Sequence, residues 1–376
     1  MLSETGDPWL LTPGPLTTSL SVKQAMLHDW GSRDRAFIEM TARVREKLAG
    51  LVEAGDTHVC VPIQGSGTFV VEATIATLLP RDGKLLVLVN GAYGQRMVAI
   101  CRYLGRACLA LETTEDTPND IAALDRTLAG DKTITHVAAI HCETTSGILN
   151  PVSEAAACVK RHGRSLIIDA MSALGALPLD GGGVPFDAVV ASSNKCLEGV
   201  PGIGFAIIRE SVIEGCKGNS HSLSLDLYEQ WCGLEGNGQW RFTPPTHVLA
   251  ALDQAIAEHE AEGGVAGRGA RYAANCRALI AGMREMGFRP LLSDNLQAPI
   301  IVTFHMPGDP KFDFEKFYRR VGEKGFLIYP GKLTIAPSFR VGCIGRLGVP
   351  EIERALQAIR DTVRELGVTA LGPARS

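Results

Sequence analysis

The 376-residue chain contains no run of about 18 apolar residues, so no membrane-crossing helix is expected. Its first ten residues include Glu4 and Asp7 and lack the basic and apolar stretches of a secretory leader. There is no long basic run. The net charge is −4 with both signs interspersed, which argues against nucleic acid or an anionic membrane as a partner. None of the ten cysteines stands in a Cys-x-x-Cys pair matched by a second pair or by paired histidines, and the nine histidines are dispersed, so no metal site is expected. Gly-x-x-x-x-Gly-Lys-Ser/Thr and Gly-x-Gly-x-x-Gly are also missing, which sets aside a P-loop nucleotide enzyme and a nicotinamide-dependent dehydrogenase. Internal repeats and low-complexity tracts are lacking.

Hydrophobic residues make up 45% of the chain and charged residues 21%, an ordinary balance for a soluble globular enzyme. Scattered cysteines in apolar runs suit a reducing compartment, and the cytoplasm is the expected location. At this length two domains are expected. From Val59 the pattern repeats as strand, loop and helix. Apolar strands are read at 59–63, 84–89, 107–112, 135–141, 165–169, 188–192 and 204–208. Strands without polar alternation are buried on both faces, and alternation with helices indicates an α/β fold with a mostly parallel, helix-covered sheet. A helix-rich joint is read from about His247 to Met286, with a hinge or kink at 263–269. A smaller α+β segment follows, with strands at 300–304, 326–329 and 338–341. The expected division is a large domain at 20–262 and a smaller one formed by 1–19 with 263–376.

In parallel sheets ligands gather at the carboxyl ends of the strands, so the residues just after each strand are the candidates. They are Gly65-Ser-Gly-Thr68, Asn90 and Tyr93, Glu143-Thr-Thr145, Asp169, and Asn194-Lys195. A Gly-Ser-Gly-Thr turn opening a helix offers N–H groups and hydroxyls to a phosphate, although it also serves as a plain tight turn. Asp169 closes an apolar strand and needs a partner, either a helix N-terminus, a hydroxyl or a protonated ring nitrogen. Lys195 directly follows an apolar strand. Burial there would depress its pKa and let the amine form a Schiff base, whereas a surface loop would leave it ordinary.

The Asp169-to-Lys195 arrangement, the Gly-Ser-Gly-Thr turn and Asn90-Gly-Ala-Tyr-Gly-Gln-Arg96 resemble the class V aminotransferases of fold-type I, pyridoxal-phosphate-dependent enzymes. The match covers nearly the whole chain. Leu11-Thr-Pro-Gly-Pro15, Asp29-Trp-Gly-Ser-Arg-Asp34, Ser193-Asn-Lys-Cys196 and Arg241-Phe-Thr243 look closer still to the branch that acts on 2-aminoethylphosphonate and pyruvate. The resemblance implies pyridoxal 5'-phosphate as cofactor, with Lys195 bonded to it and Asp169 pairing with its ring nitrogen. Ser66, Gly67 and Thr68 would cradle the phosphate and Tyr93 would stack on the ring, where relatives often use Trp. Thr145 would hydrogen-bond near the phenolic oxygen. It further implies a homodimer in which Thr243 reaches the phosphate in the neighbouring subunit. Arg340, in Ser338-Phe-Arg-Val-Gly342, would hold the substrate carboxylate, the alternative being a structural ion pair. Arg33 and Arg241 are the candidates for a second, phosphonate-binding arginine. Competing readings are alanine–glyoxylate or serine–pyruvate transamination, a cysteine desulfurase, for which Cys343 and Cys196 read as packing residues rather than nucleophiles, and a non-catalytic protein on the same fold.

Overall fold

The computed structural model describes residues 2–179 and 181–373. Seven strands form the main sheet in the order His58–Gly65, Gly202–Arg209, Ala188–Ser192, Ser165–Asp169, Ile134–Ile140, Lys84–Val89 and Ala107–Glu112. Six run parallel, and Gly202–Arg209 runs against both of its neighbours. The reversal has a local cause. The link from Ser192 to Gly202 is too short for the helical crossover that a parallel connection needs.

Alternate residues of these strands feed two separate cores. Leu86, Leu88, Val137, Ala139, Leu166, Ile168, Val189 and Phe205 pack on one side, beneath helices that include Arg35–Gly50 and Thr246–Ala261. Leu85, Val87, Ala138, Ile167, Val190 and Ala206 pack on the other, against Gly67–Leu78 and Ala92–Tyr103. Each fully buried Leu, Ile or Val contributes roughly 1.5–3 kcal/mol, so coverage of both faces makes this sheet the rigid platform of the molecule.

A second, antiparallel sheet joins Ile301–His305, Ser338–Gly342 and Tyr329–Pro330. Its core gathers Phe288, Phe304, Phe317 and Phe339 beneath the helices Gly264–Met286, Phe314–Glu323 and Val349–Glu365. Trp9 and Leu11 belong to this core, and Trp9–Leu10 pairs in parallel with Phe326–Leu327. Among the described residues no helix is long and apolar enough to cross a membrane.

The strands read from sequence agree closely with these except the one at 326–329, which divides into Phe326–Leu327, paired with Trp9–Leu10, and Tyr329–Pro330, in the antiparallel sheet. Three helical features differ. The amphipathic pattern of Val44, Leu48, Leu51 and Val52 reads as a helix over Thr41–Ala54, but the first long helix spans Arg35–Gly50, because Phe37 and Met40 already face the core across a polar first turn. The expected hinge is a true break at Gly263, whose φ of 98° separates two helices. Leu227–Asn237 was not expected as a helix. It carries Gly233 and Gly236, poor helix formers, and is secured at its ends by the Asp226 side chain and by Gly238 in the left-handed region.

One buried charge network ties the helix Gly264–Met286 to the loop after Ser192. Glu198 is 2% exposed and its backbone lies in the left-handed region. Its Oε1 accepts from Arg271 Nη2 at 2.7 Å and from Tyr272 Oη at 2.6 Å. Arg268, 1% exposed, donates to the Cys196 carbonyl and to Glu262, each at 2.6 Å. The Glu198 N–H closes back onto the Lys195 carbonyl at 2.9 Å. The segment 195–198 is thus clamped from below. Removing one member of a buried ion network costs about 3–5 kcal/mol, because the remaining charges stay desolvated. Glu198→Ala is therefore expected to lower the urea midpoint by that equivalent. An unchanged midpoint would show that the two arginines find other partners.

Candidate active site

Because six strands are parallel, their carboxyl ends share one edge of the sheet, and Asp169 lies level there with Ile140 and Val190. A cavity of about 520 Å³ opens at this edge, within the range of small-molecule sites. Ser66, Gly67, Thr68, Tyr93, Asp169, Asn194 and Lys195 line it, so most of the residues singled out from sequence meet in one place. Gly14, Arg96 and Met171 line it as well.

The Lys195 ammonium donates to the carbonyls of Pro13 at 2.7 Å and Gly14 at 3.2 Å. Gly14 has a φ of 111°, and a Cβ there would fall 2.6 Å from Lys195 Cδ, so only glycine lets the loop close over the lysine. Burial pulls the pKa of Lys195 down to about 8. The positive charges of Lys332 and Arg340 add to that effect, and Cys196 and Asp169 oppose it. Asp169 is buried and moves the other way. Desolvation raises its pKa to about 6 against a single hydrogen bond to its Oδ1, from the Met171 N–H at 2.9 Å. An acid and an amine that burial pushes toward each other around neutrality mark a site arranged for chemistry.

At the other end of the cavity, Ser66 caps the helix Gly67–Leu78 with extended backbone, and its hydroxyl makes no capping bond. The helix N-terminus therefore presents free N–H groups and a free hydroxyl. A Cβ on Gly67 would lie 2.6 Å from Met171 Sδ, so a larger residue there would push the Met171 side chain aside. Arg96 Nη1 donates to Thr68 Oγ1 at 3.1 Å, adding a positive charge to the cradle. The donor set fits pyridoxal phosphate: an anion site at a helix N-terminus, a buried carboxylate suited to a protonated ring nitrogen, and a desolvated amine.

Tyr93 sits on the cavity wall. Arg96 Cζ lies 4.9 Å and Lys332 Nζ 5.4 Å from its ring centroid. Thr145 is fully buried and does not line the cavity. Its hydroxyl donates to Glu143 Oε1 at 2.6 Å and accepts from the Ala92 N–H at 3.0 Å. Glu143 is itself fully buried, and its other oxygen accepts from the Tyr93 N–H at 3.2 Å. This carboxylate thus links the strand end to the start of the helix that carries Tyr93.

Arg340 is 1% exposed and has no acidic partner among the described residues. It donates to the carbonyls of Pro330 at 3.1 Å and Thr144 at 2.8 Å, and its guanidinium lies 5.8 Å from the Tyr329 ring centroid. The structural ion pair considered for it does not form. Arg340 does not line the cavity, and its buried guanidinium has no acid to neutralise it, a charge that an anion would balance. Arg33, Arg241 and Thr243 are not brought to the cavity within one chain. They line a separate surface cleft of about 300 Å³, where Arg241 Nη1 donates to the Leu223 carbonyl at 2.7 Å.

Neither Cys196 nor Cys343 is poised as a nucleophile. Burial pushes the Cys196 thiol up to about 12, and Cys343, buried against Cys276, is raised as well. Dispersion along the chain did not keep all potential metal ligands apart, since Asp125, Cys158 and His162 converge within 4.8 Å. Asp125 Oδ1 already takes His162 at 2.9 Å and Arg161 at 3.1 Å, and a cation there would face a guanidinium, so the cluster reads as an ion pair network.

Two features escaped sequence reasoning. Pro13 and Gly14 lie far from Lys195 along the chain, and only the fold brings them together. Arg96 was visible within its motif, one helical turn beyond Tyr93, but nothing local assigned it to the anion end.

The aminotransferase class-V family model matches residues 21–340. A 2-aminoethylphosphonate–pyruvate transaminase of Burkholderia lata is 57% identical over 96% of both chains. A protein of the same name from Pseudomonas aeruginosa is 55% identical, covering 96% of this chain and 97% of that one. Among solved structures, alanine–glyoxylate aminotransferase from Nostoc sp. superposes with a TM-score of 0.89 at 22% identity, over 96% of this chain and 97% of that one. Pyridoxamine–pyruvate aminotransferase from Mesorhizobium loti gives 0.87 at 24% identity, over 98% and 95%. The parallel sheet, the lysine at its edge and the family match converge on one conclusion: the chain belongs to the class V aminotransferases.

Proposed function

We propose that this enzyme transfers the amino group of 2-aminoethylphosphonate to pyruvate, forming phosphonoacetaldehyde and L-alanine, with pyridoxal 5'-phosphate as cofactor. The observation that carries the reading is the desolvated Lys195 amine facing a buried Asp169 in a cavity whose far end is a helix N-terminus. The names of relatives at 55–57% identity support the substrate pair.

When bound, pyridoxal phosphate supplies an aldehyde for amine exchange and a ring that accepts electrons. Ser66, Gly67 and Thr68, helped by Arg96, would hold its phosphate. Asp169, ionised above about pH 6, would keep the ring nitrogen protonated. Lys195 is the proton carrier. With a pKa near 8, its Nζ is poised to take a proton from the substrate carbon that bears the amine and to give it back elsewhere. Arg340 would hold the carboxylate of pyruvate or alanine through two donors, a geometry that Lys lacks. In this reading residues 1–19 with 263–376 form the smaller unit, which brings Arg340 to a lysine held by residues 20–262. Thr145 would orient the cofactor's phenolic side from behind, through its link to Ala92 and Glu143. Two chains would form a homodimer in which Thr243, and with it Arg33 and Arg241, approaches the neighbouring cavity from the surface cleft. A cytoplasmic enzyme with small-molecule substrates is the corresponding setting.

The primary test is visible absorption. The purified protein should show the band of a lysine-bound cofactor, lose it on addition of 2-aminoethylphosphonate alone, and regain it with pyruvate. Lys195→Ala should show neither the band nor turnover. Response to alanine or serine but not to the phosphonate would move the substrate assignment to another member of the family.

Arg340→Lys keeps the charge but loses the fork. It should reduce kcat/KM by about 1–3 kcal/mol equivalent, the scale of a charge-assisted hydrogen bond. An unchanged value would remove Arg340 from the site.

Asp169 gives a pH prediction for the cofactor-free protein. A carboxyl whose pKa the fold raises contributes stability at low pH, and that contribution is lost as pH rises from 3.8 through about 6. At pH 7.5 the buried carboxylate should therefore cost a few kcal/mol, at about 1.4 kcal/mol per unit. Asp169→Asn should raise the thermal midpoint of the cofactor-free protein at pH 7.5, with a smaller gain at pH 4.5, while abolishing efficient transamination. Equal midpoints at pH 7.5 would place a counter-charge beside Asp169.

A further inference from the structure

A phosphonate tail differs from a carboxylate in charge. Near neutral pH it carries between one and two negative charges on three oxygens, and one guanidinium cannot neutralise it. Arg340 supplies one buried positive charge, while Arg96 is engaged with Thr68 at the helix terminus, its guanidinium 4.9 Å from the Tyr93 ring centroid. Arg33 and Arg241 open onto a different cleft of the same chain and would reach a cavity only from the neighbouring subunit.

A second cation is nevertheless present on the Arg340 side. Tyr329–Pro330 and Ser338–Gly342 form a hairpin in which Tyr329 lies opposite Arg340 and Pro330 opposite Phe339. Lys332 begins the loop of that hairpin. It is exposed, and no acid pairs with it among the described residues. Its Nζ reaches across to the cavity wall, 5.4 Å from the Tyr93 ring centroid. The loop is not left to wander, because the N–H groups of Thr334 and Ile335 both donate to Glu115 Oε2, at 2.8 and 3.2 Å. Lys332 and Arg340 both act on the Lys195 amine electrostatically, so their fields overlap where the substrate amine must arrive. An ammonium without an acidic partner, set against a ring of the cavity wall and on the hairpin that supplies the buried guanidinium, has the charge for the outer oxygens of a dianion.

We propose that Lys332 is the second cationic group for the phosphonate: from the hairpin loop its ammonium joins Arg340 in neutralising a tail that carries more charge than a carboxylate. The inference rests on the proposed phosphonate substrate. It makes Lys332 a specificity determinant, required for the aminophosphonate half-reaction more than for the alanine half-reaction, in which Arg340 meets a single negative charge.

The test is a comparison of kcat/KM for 2-aminoethylphosphonate and for L-alanine in the cofactor-loaded wild-type enzyme, Lys332→Gln and Lys332→Arg. Lys332→Gln should reduce the phosphonate-to-alanine ratio at least tenfold, mainly through KM, and Lys332→Arg should restore most of it. A ratio within twofold of wild type in Lys332→Gln, or an equal fall for both amines, would overturn the inference while leaving the transaminase reading intact. A wild-type enzyme that turns over alanine but not the phosphonate would overturn both. Because Lys332 is exposed and its loop is anchored through backbone N–H groups, neither variant disturbs the fold.

Discussion

The arrangement of this enzyme depends on a carboxylate placed where carboxylates rarely go. Glu198 is buried between two arginines and a tyrosine, three residues beyond the lysine that the chemistry needs. Such a network is a poor source of net stability, since desolvation offsets most of the attraction. What it provides is position. Arg268 holds the Cys196 carbonyl and the Glu198 N–H holds that of Lys195, so the backbone that delivers the amine is fixed from the side away from the cavity. The other face is closed by the carbonyls of Pro13 and Gly14. Lys195 therefore stands between a rigid floor and a backbone roof, and its lowered pKa follows from that confinement.

The cavity itself is marked by positive charge. The helix N-terminus and Arg96 gather positive charge at the cavity, and Arg340 and Lys332 bring more from the neighbouring hairpin, Lys332 against the Tyr93 ring that forms part of the cavity wall. Asp169 and Lys195 line the same cavity. Glu143 supports the wall from behind. Its two oxygens collect N–H and O–H donors from the segments that carry Tyr93 and Thr145, and this fixes the wall.

Much of this was legible in the sequence because parallel sheets impose a simple rule. Apolar strands such as Leu85–Val89 and Leu166–Ile168 announce themselves by composition, and whatever follows them faces the same edge. Ser66, Thr68, Tyr93, Asp169 and Lys195 were found in that way. The parts that were not legible depend on contacts distant along the chain. Nothing local to Pro13 or Gly14 points to a lysine in another element. Lys332 looks like any loop lysine until the hairpin returns Arg340 beside it. Thr145 was read as facing the cavity from its place after a strand, but the tight return at 142–149 turns its hydroxyl onto Glu143. Strand-end logic names the edge, but it does not say which way a side chain turns once a loop begins.

The pairing of Trp9–Leu10 with Phe326–Leu327 has a consequence for how the molecule comes into being. A ribosome releases the early segment long before its partner strand exists, so the carbonyls that receive Lys195 have no seat while most of the polypeptide is being made. The central sheet and its cradle at the Gly67 helix are complete in sequence by Arg209, but the roof over the lysine awaits Leu327. A nascent chain halted between those points would present an unroofed amine at an open sheet edge. The loop that covers Lys195 is thus seated through contacts between segments that lie far apart along the chain.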